Sequence, residues 1–446
     1  MARTASRGRT WRRATTSVTA ALAAISLVAC SPAATGSTPS GDGGAISGEL
    51  QILTGSAAGS DKAFQDVSDA FMKKYPDVKV IYSAVDNNTF PQTKSSRLTA
   101  GNLGIFVALN LAEVPDYAKD SASDDLLLAQ SGGLVDLTDE PFMQRFTPTM
   151  LDAQAIGGRQ YAMPTGASYV TGVFYNKSIF ADNGVEVPTT WTEFVSVLDT
   201  LKGKGVTPYG IGGKDTWPAG LIMLGAAAGV LPTLEDKQGL AADLWINKAK
   251  LDEGPSLEIL EKTEKVFQYA QPNFAGTGYD DLPGQFANGT FAMMSDGTWN
   301  TTTIQTAVGD KFEIGYFPFP ASDDAAANKT VNGKIELQMA IPTSSKNKQA
   351  ALAWMDFFSE KENYQKFLET TGFSSAQPNM ATSGFLEEIA PYTGTFETVW
   401  GQVWIANNKA GQDAAYPFNY PALAPLGTST PQQAADAAQQ AWGTGF

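Results

Sequence analysis

The stretch "GELQILTGSAAGSDKAFQDVSDAFMKKYPDVKVIYSAV", Gly48 to Val85, decides the fold. Glu49–Thr54 ("ELQILT") has the composition of a strand. In "DKAFQDVSDAFMKKYP", Phe64, Val67, Phe71 and Tyr75 recur at helical spacing, and Pro76 stops the pattern. Val78–Val85 ("VKVIYSAV") reads as a second strand. A strand, a helix and a strand within about 35 residues form a βαβ unit, and its crossover makes the two strands parallel.

The alternation continues on both sides of this unit. "FPQTKSSRLTAGN" predicts a helix, and the apolar "GIFVALN" (Gly104–Asn110) predicts a strand covered on both faces. "TGVFYN" predicts a short strand, and "VPTTWTEFVSVLDTLKGKG" a helix. Thr190 and Glu193 cap that helix as a box, and Trp191, Phe194, Val195, Leu198 and Leu201 form its apolar stripe. Strands follow in "VTPYGIGG", "GTFAMMSDGTW", "KFEIGYFPFP" and "GKIELQMAIP", and one long helix in "KQAALAWMDFFSEKENYQKFLETTG". Alternation over about 400 residues exceeds one comfortable core, so two α/β lobes are expected. "ASDDAAA" (321–327) reads as a surface loop.

The chain has 446 residues, one cysteine and no histidine. An intramolecular disulfide, a Ser-His-Asp or Cys-His centre and the usual zinc sets are therefore excluded, and no cofactor or metal is expected. A net charge of −15 offers no basic surface for nucleic acid. Cys30 closes a segment with five arginines between Arg3 and Arg13 and an apolar run of twelve residues, Val18–Ala29. Such a run is short of the roughly 20 residues a membrane span needs and suits a signal peptide, here 1–29. Leu27-Val28-Ala29-Cys30 resembles the lipobox of bacterial lipoproteins, which implies cleavage before Cys30 and lipidation of its sulfur. Ser, Pro, Gly and Thr then make residues 30–47 a flexible tether. Removing the signal segment takes the net charge from −15 to −20.

Two aromatic turns stand where open α/β sheets bind ligands, after a strand's C-terminal end. In "GTFAMMSDGTW" (Gly289–Trp299), Phe291–Met294 is the strand and Ser-Asp-Gly the turn. Trp299 either stacks on the apolar face of a sugar ring or packs in the core, and Asp296 either accepts hydroxyl hydrogen bonds or caps the helix. In "GGKDTWPAG" (Gly212–Gly220), Lys214, Asp215 and Trp217 repeat the arrangement. Trp245, Trp354, Trp400 and Trp404 lie on helical patterns and read mostly as packing residues. Hydrolysis of a glycoside needs two carboxylates flanking the bond, and the adjacent pairs Asp280-Asp281 and Asp323-Asp324 read as solvent-facing turns.

The lipobox, the tether, "YAMP…VFYNK" (Tyr161–Lys177), "VPTTWTEF" (Val187–Phe194) and "GTFAMMSDGTW", in that order, resemble the extracellular carbohydrate-binding subunits of ABC importers. That group includes maltose-binding protein, and the similarity runs from about residue 48 to the end. The resemblance implies a two-lobe periplasmic-binding-protein-like α/β fold with a hinge and an interlobe cleft. It implies crossovers near Pro164–Tyr169, Phe317–Pro320 and Gly372–Gln377. The N-lobe is then 48–165 plus 320–371 and the C-lobe 166–319 plus 372–446. It implies a non-enzymatic monomer, held by lipid on the outer face of a bacterial cytoplasmic membrane. This protein would pass a sugar, above all an oligosaccharide, to a transmembrane permease.

Carried onto this sequence, the resemblance makes Trp299 and Trp217 stacking aromatics and places Tyr169 at the cleft. Ser56 after the first strand, Asp86 after the second, Gln92 at a helix start and Glu336 would face the same gap. One departure stands out. The family commonly has Gly-Asp-x-Pro-Asp-Val before the third strand, where this chain has Gly101-Asn102-Leu103-Gly104-Ile105-Phe106. Asn110 or Glu113 would replace the missing acid. A polyol, a glycerol phosphodiester or a peptide is the alternative ligand on the same fold, and a surface glycoside hydrolase or an adhesive lipoprotein the alternative class.

Overall fold

A computed structural model describes residues 46–446 apart from Ser383 and Thr395. The signal peptide, Cys30 and all but the last two residues of the tether lie outside the described residues.

β1 (Gly48–Gly55) and β2 (Val78–Val85) pair in parallel across eight positions, with α1 (Ala58–Lys74) as their crossover. Phe64, Val67 and Phe71 are buried as the periodicity requires, while Tyr75 is half-buried and its N–H caps the helix on the Phe71 carbonyl. α2 (Phe90–Thr99) leads to β3 (Ile105–Val107), parallel to β1, and α3 (Asp124–Gln130) follows. Gly104 lets β3 enter against β1, since a Cβ there would stand 2.5 Å from Leu50 Cδ1.

The next elements build a second sheet. β4 (Gly166–Tyr169) runs into β5 (Gly172–Asn176), which pairs antiparallel with β7 (Met293–Ser295) and β8 (Ile314–Pro318). β6 (Tyr209–Gly210) lies parallel to β7 and is only two residues long, shorter than "VTPYGIGG" suggests. β9 (Asn332–Glu336) and β10 (Met339–Ala340) follow, and β11 (Glu397–Thr398) is last. The sheet orders are β10-β3-β1-β2, β6-β7-β5-β8 and β11-β9-β4.

The small third sheet is where the chain passes between the two larger ones. Antiparallel β4 and β9 carry it in opposite directions, and Ala167 exchanges both backbone hydrogen bonds with Ser374, a third passage beside them. One core gathers residues from 50–163 and 339–376, and the other cores gather 169–331 and 385–442, with Ala118 as an exception. Phe317, Phe319 and Ala321 all pack on the second side, and the return to the first falls at β9 and β10. The turn Asp116–Ser121 crosses over: Tyr117 meets Trp245 at 6.1 Å, and Asp120 pairs with Lys409 at 2.8 Å.

Two helical expectations need correction. The helix Trp191–Gly203 has its Thr190/Glu193 box, but Val197 rather than Val195 is buried, because 194, 197, 198 and 201 form the inward stripe. The long helix is two, Lys348–Ser359 and Lys361–Thr371, broken at Glu360 (φ −58°, ψ 135°). Asn363 Nδ2 donates to the Phe357 carbonyl and to Glu360, which ends the first helix. The bend brings Trp354, Phe358 and Phe367 together around Phe64.

Candidate functional site

The loops after β1, β2 and β3 open at the C-terminal ends of parallel strands, where α/β sheets leave a crevice. Opposite them stand the turns that carry Trp217 and Trp299, the strand β9, and the segment 399–420. Between them lies a cavity of about 640 Å³, within the usual range for small-molecule sites. Ser56, Asn87 and Asn110 line it from one side, and Trp217, Tyr279, Trp299 and Tyr420 from the other. Lys334 and Glu336 come from β9, between the two larger sheets.

Five of the eleven expected ligand residues line this cavity: Ser56, Asn110, Trp217, Trp299 and Glu336. Asn110 (φ 51°) adopts a left-handed conformation that asparagine tolerates and lines the cavity just after β3. Glu113 does not, since it is exposed and accepts a hydrogen bond from the Gly157 N–H.

The other six sit elsewhere, for physical reasons. Asp296 is fully buried and accepts from Tyr279 OH (2.9 Å), Gly297 N–H (2.8 Å) and Asn300 Nδ2 (2.7 Å), leaving no face for a ligand. Asp215 accepts from the Tyr279 backbone N–H at 2.8 Å, and Lys214 is exposed outside the lining. Tyr169 points away because strand residues alternate: Ser168 turns toward Glu336, and the Tyr169 ring packs on Phe396 at 6.2 Å. Asp86 is exposed and caps the turn into α2 through the Asn88 N–H, so Asn87 takes the lining position. Gln92 is exposed on α2, whose Phe90 faces the cavity.

The two displaced aspartates share one task. Asp296 accepts the Tyr279 hydroxyl proton, Asp215 holds the Tyr279 backbone, and the Trp299 Nε1–H donates to Tyr279 OH at 2.8 Å. Trp217 closes the group, 4.5 Å from the Tyr279 ring and 6.5 Å from Trp299. Gly297 permits this fold-back, because a Cβ there would come within 2.1 Å of the Trp299 ring. Thr216 precedes Trp217 at φ 64°, ψ −57°, a conformation that strains a β-branched residue by about 1–3 kcal/mol. Val170, Leu221 and Val399 form an apolar floor against both indoles.

Burial pushes the Asp296 carboxyl up to about 7, against the three donors that favour its charged form. The folded value lies above the unfolded one of about 4, so this group's stabilisation is complete below about pH 4 and is lost as pH rises through 7. Asp296→Asn is expected to flatten that dependence. Melting curves of both proteins from pH 4 to 8 that run parallel would contradict it.

Several lining residues escaped the sequence reading. Tyr279 stands beside the Asp280-Asp281 pair, Lys334 is two residues from Glu336 on one strand face, and Tyr416 and Tyr420 belong to "YPFNY". Trp404, read as packing, also borders the cavity.

Residues 54–365 match the family model described as "Bacterial extracellular solute-binding protein". The "Multiple sugar-binding protein" of Streptococcus mutans is 24% identical over 296 residues, 64% of this chain and 67% of that one. Among solved structures, RafE in complex with raffinose superposes with a TM-score of 0.72 at 23% identity, covering 89% of this chain and 99% of that one. A chitin oligosaccharide binding protein gives 0.71 at 20% identity, covering 90% and 99%. These structural likenesses speak for the fold: two α/β lobes with a cleft between them. With the family match spanning most of the described residues, the chain belongs to the bacterial extracellular solute-binding protein family.

Proposed function

We propose that this protein captures an uncharged sugar, above all an oligosaccharide, between its lobes and hands it unaltered to an ABC transporter permease. One observation carries the reading: two indoles and a tyrosine, locked to each other, border a cavity otherwise lined by apolar groups, a few amides and hydroxyls, and one lysine–glutamate pair. Pyranose rings offer apolar C–H faces to aromatic rings and hydroxyl edges to polar groups. The relatives named for multiple sugars, raffinose and chitin oligosaccharide support the ligand class.

The lobes follow the cores. The N-lobe is 48–165 with the returning segment from about 339 to 376, and the C-lobe is 166 to about 331 with about 377–446. The middle crossover belongs at 332–338, because Ala321 and Val331 pack with the C-lobe. Ser56, Asn110, Trp217, Trp299 and Glu336 touch the ligand, while Asp215 and Asp296 act through Tyr279. Signal removal at Ala29 and lipidation of Cys30 tether a monomer outside the cytoplasmic membrane, where two or more acyl chains hold it stably. The ligand undergoes no reaction.

A thermal-shift panel of neutral mono- and oligosaccharides, including raffinose and chitin oligosaccharides, tests the function. A ligand at one hundred times its dissociation constant adds about 2.7 kcal/mol of stability. A clear rise in melting temperature with at least one neutral sugar is expected. Shifts confined to peptides or phosphodiesters would overturn the reading.

A further inference from the structure

Among the described residues, Lys334 and Glu336 are the only charged side chains that line the cavity. They stand at alternate positions of β9, and so on one face of the strand. Lys334 Nζ is 3.2 Å from Glu336 Oε1 and 4.9 Å from the Trp299 ring centroid. Ser168, on the paired strand, donates its hydroxyl to the same carboxylate oxygen. The glutamate is deeply buried, with 5% of its side chain exposed, against 32% for the lysine.

We propose that this ion pair is the charge filter of the site: it selects uncharged polyhydroxyl ligands and rejects both uronic acids and amino sugars. The inference rests on the sugar-binding reading and deepens it by naming the charge class of the ligand. Lys334 has three donor hydrogens and Glu336 a second acceptor oxygen, so the pair offers a donor and an acceptor side by side. A hydroxyl both accepts and donates, and it can serve both partners while leaving their pairing intact. A ligand carboxylate gains from Lys334 but meets Glu336, and a ligand ammonium gains from Glu336 but meets Lys334. Juxtaposed like charges in a partly dehydrated cavity give the discrimination. Lys334 also lies over the Trp299 ring, so a ligand charge that draws it away would also remove the indole's cation contact.

The test compares calorimetric affinities for neutral oligosaccharides with those for their uronate and deacetylated amino counterparts. Wild type, Lys334→Met, Glu336→Gln and the double variant are measured, with Lys334→Gln in reserve should the Met variant not fold. In wild type both charged classes are expected to bind at least tenfold more weakly than the neutral parent. Glu336→Gln should improve the uronate-to-neutral ratio at least tenfold, and Lys334→Met should do the same for the amino sugar. The double variant should treat the two charged classes alike. Unchanged ratios in folded single variants, or a shift in only one of them, would overturn the inference and leave the proposed function standing. Failure of every neutral sugar to bind wild type would overturn the proposed function, and this inference with it.

Discussion

Replacing Trp299 with alanine is expected to weaken sugar binding at least tenfold, a loss of about 1.4 kcal/mol or more, and to leave the fold intact. The indole is half-buried and rests on the apolar floor of Val170, Leu221 and Val399, so the variant gives up a ligand platform together with only the part of the core packing that its inner edge makes. Its loss also removes the donor to Tyr279 OH and the ring beneath Lys334, so these two cavity groups lose a common support. Aromatic anchors at the centre of a binding site often cost 2 kcal/mol or more on truncation. Trp299→Phe separates the contributions, since it keeps a ring face but not the Nε1 donor. Calorimetry on the sugar found in the panel decides. An alanine variant of wild-type affinity would remove Trp299 from the site.

The second large effect is on stability. Lys94 of α2 and Asp125 of α3 form an ion pair with 8% and 2% of their side chains exposed. The same carboxylate oxygen accepts the Leu109 N–H at 2.6 Å, just before Asn110 enters the cavity. Asp125→Ala leaves a buried ammonium against the Phe90 and Phe106 rings with no counter-charge. Breaking such a pair from one side costs about 3–5 kcal/mol. Urea denaturation should show a lower midpoint at unchanged slope, and sugar affinity should fall as the Leu109–Asn110 backbone loosens. A midpoint within error of wild type would show that the pair adds nothing to stability.

What the sequence disclosed follows from which interactions are local. The unit from Gly48 to Val85 was legible because a helical stripe and two apolar strands each repeat within a few residues. The break at Glu360 was not, because Lys, Glu and Asn all continue a helical pattern, and the bend answers to the packing of Phe358 and Phe367 on Phe64. The sheet β11-β9-β4 joins segments far apart in the chain, and no local pattern announces it.

The site divides along the same line. Trp217 and Trp299 were recognisable because a large ring after a strand end stands near the crevice whichever way it turns. A carboxylate in the same turn is different. Asp215 and Asp296 lie close to the cavity, yet their side chains turn back onto Tyr279, a residue 64 and 17 positions away. Strand alternation could have linked Lys334 to Glu336, but that both reach the Trp299 indole's surroundings depends on β4 pairing with β9.

The most direct test is a crystal structure of the protein with the neutral sugar that stabilises it most. An intact saccharide is expected, with ring carbons about 4 Å from the Trp299 and Trp217 rings, in van der Waals contact, and hydroxyls at Lys334 and Glu336. A sugar bound away from both indoles, or one found cleaved, would contradict it.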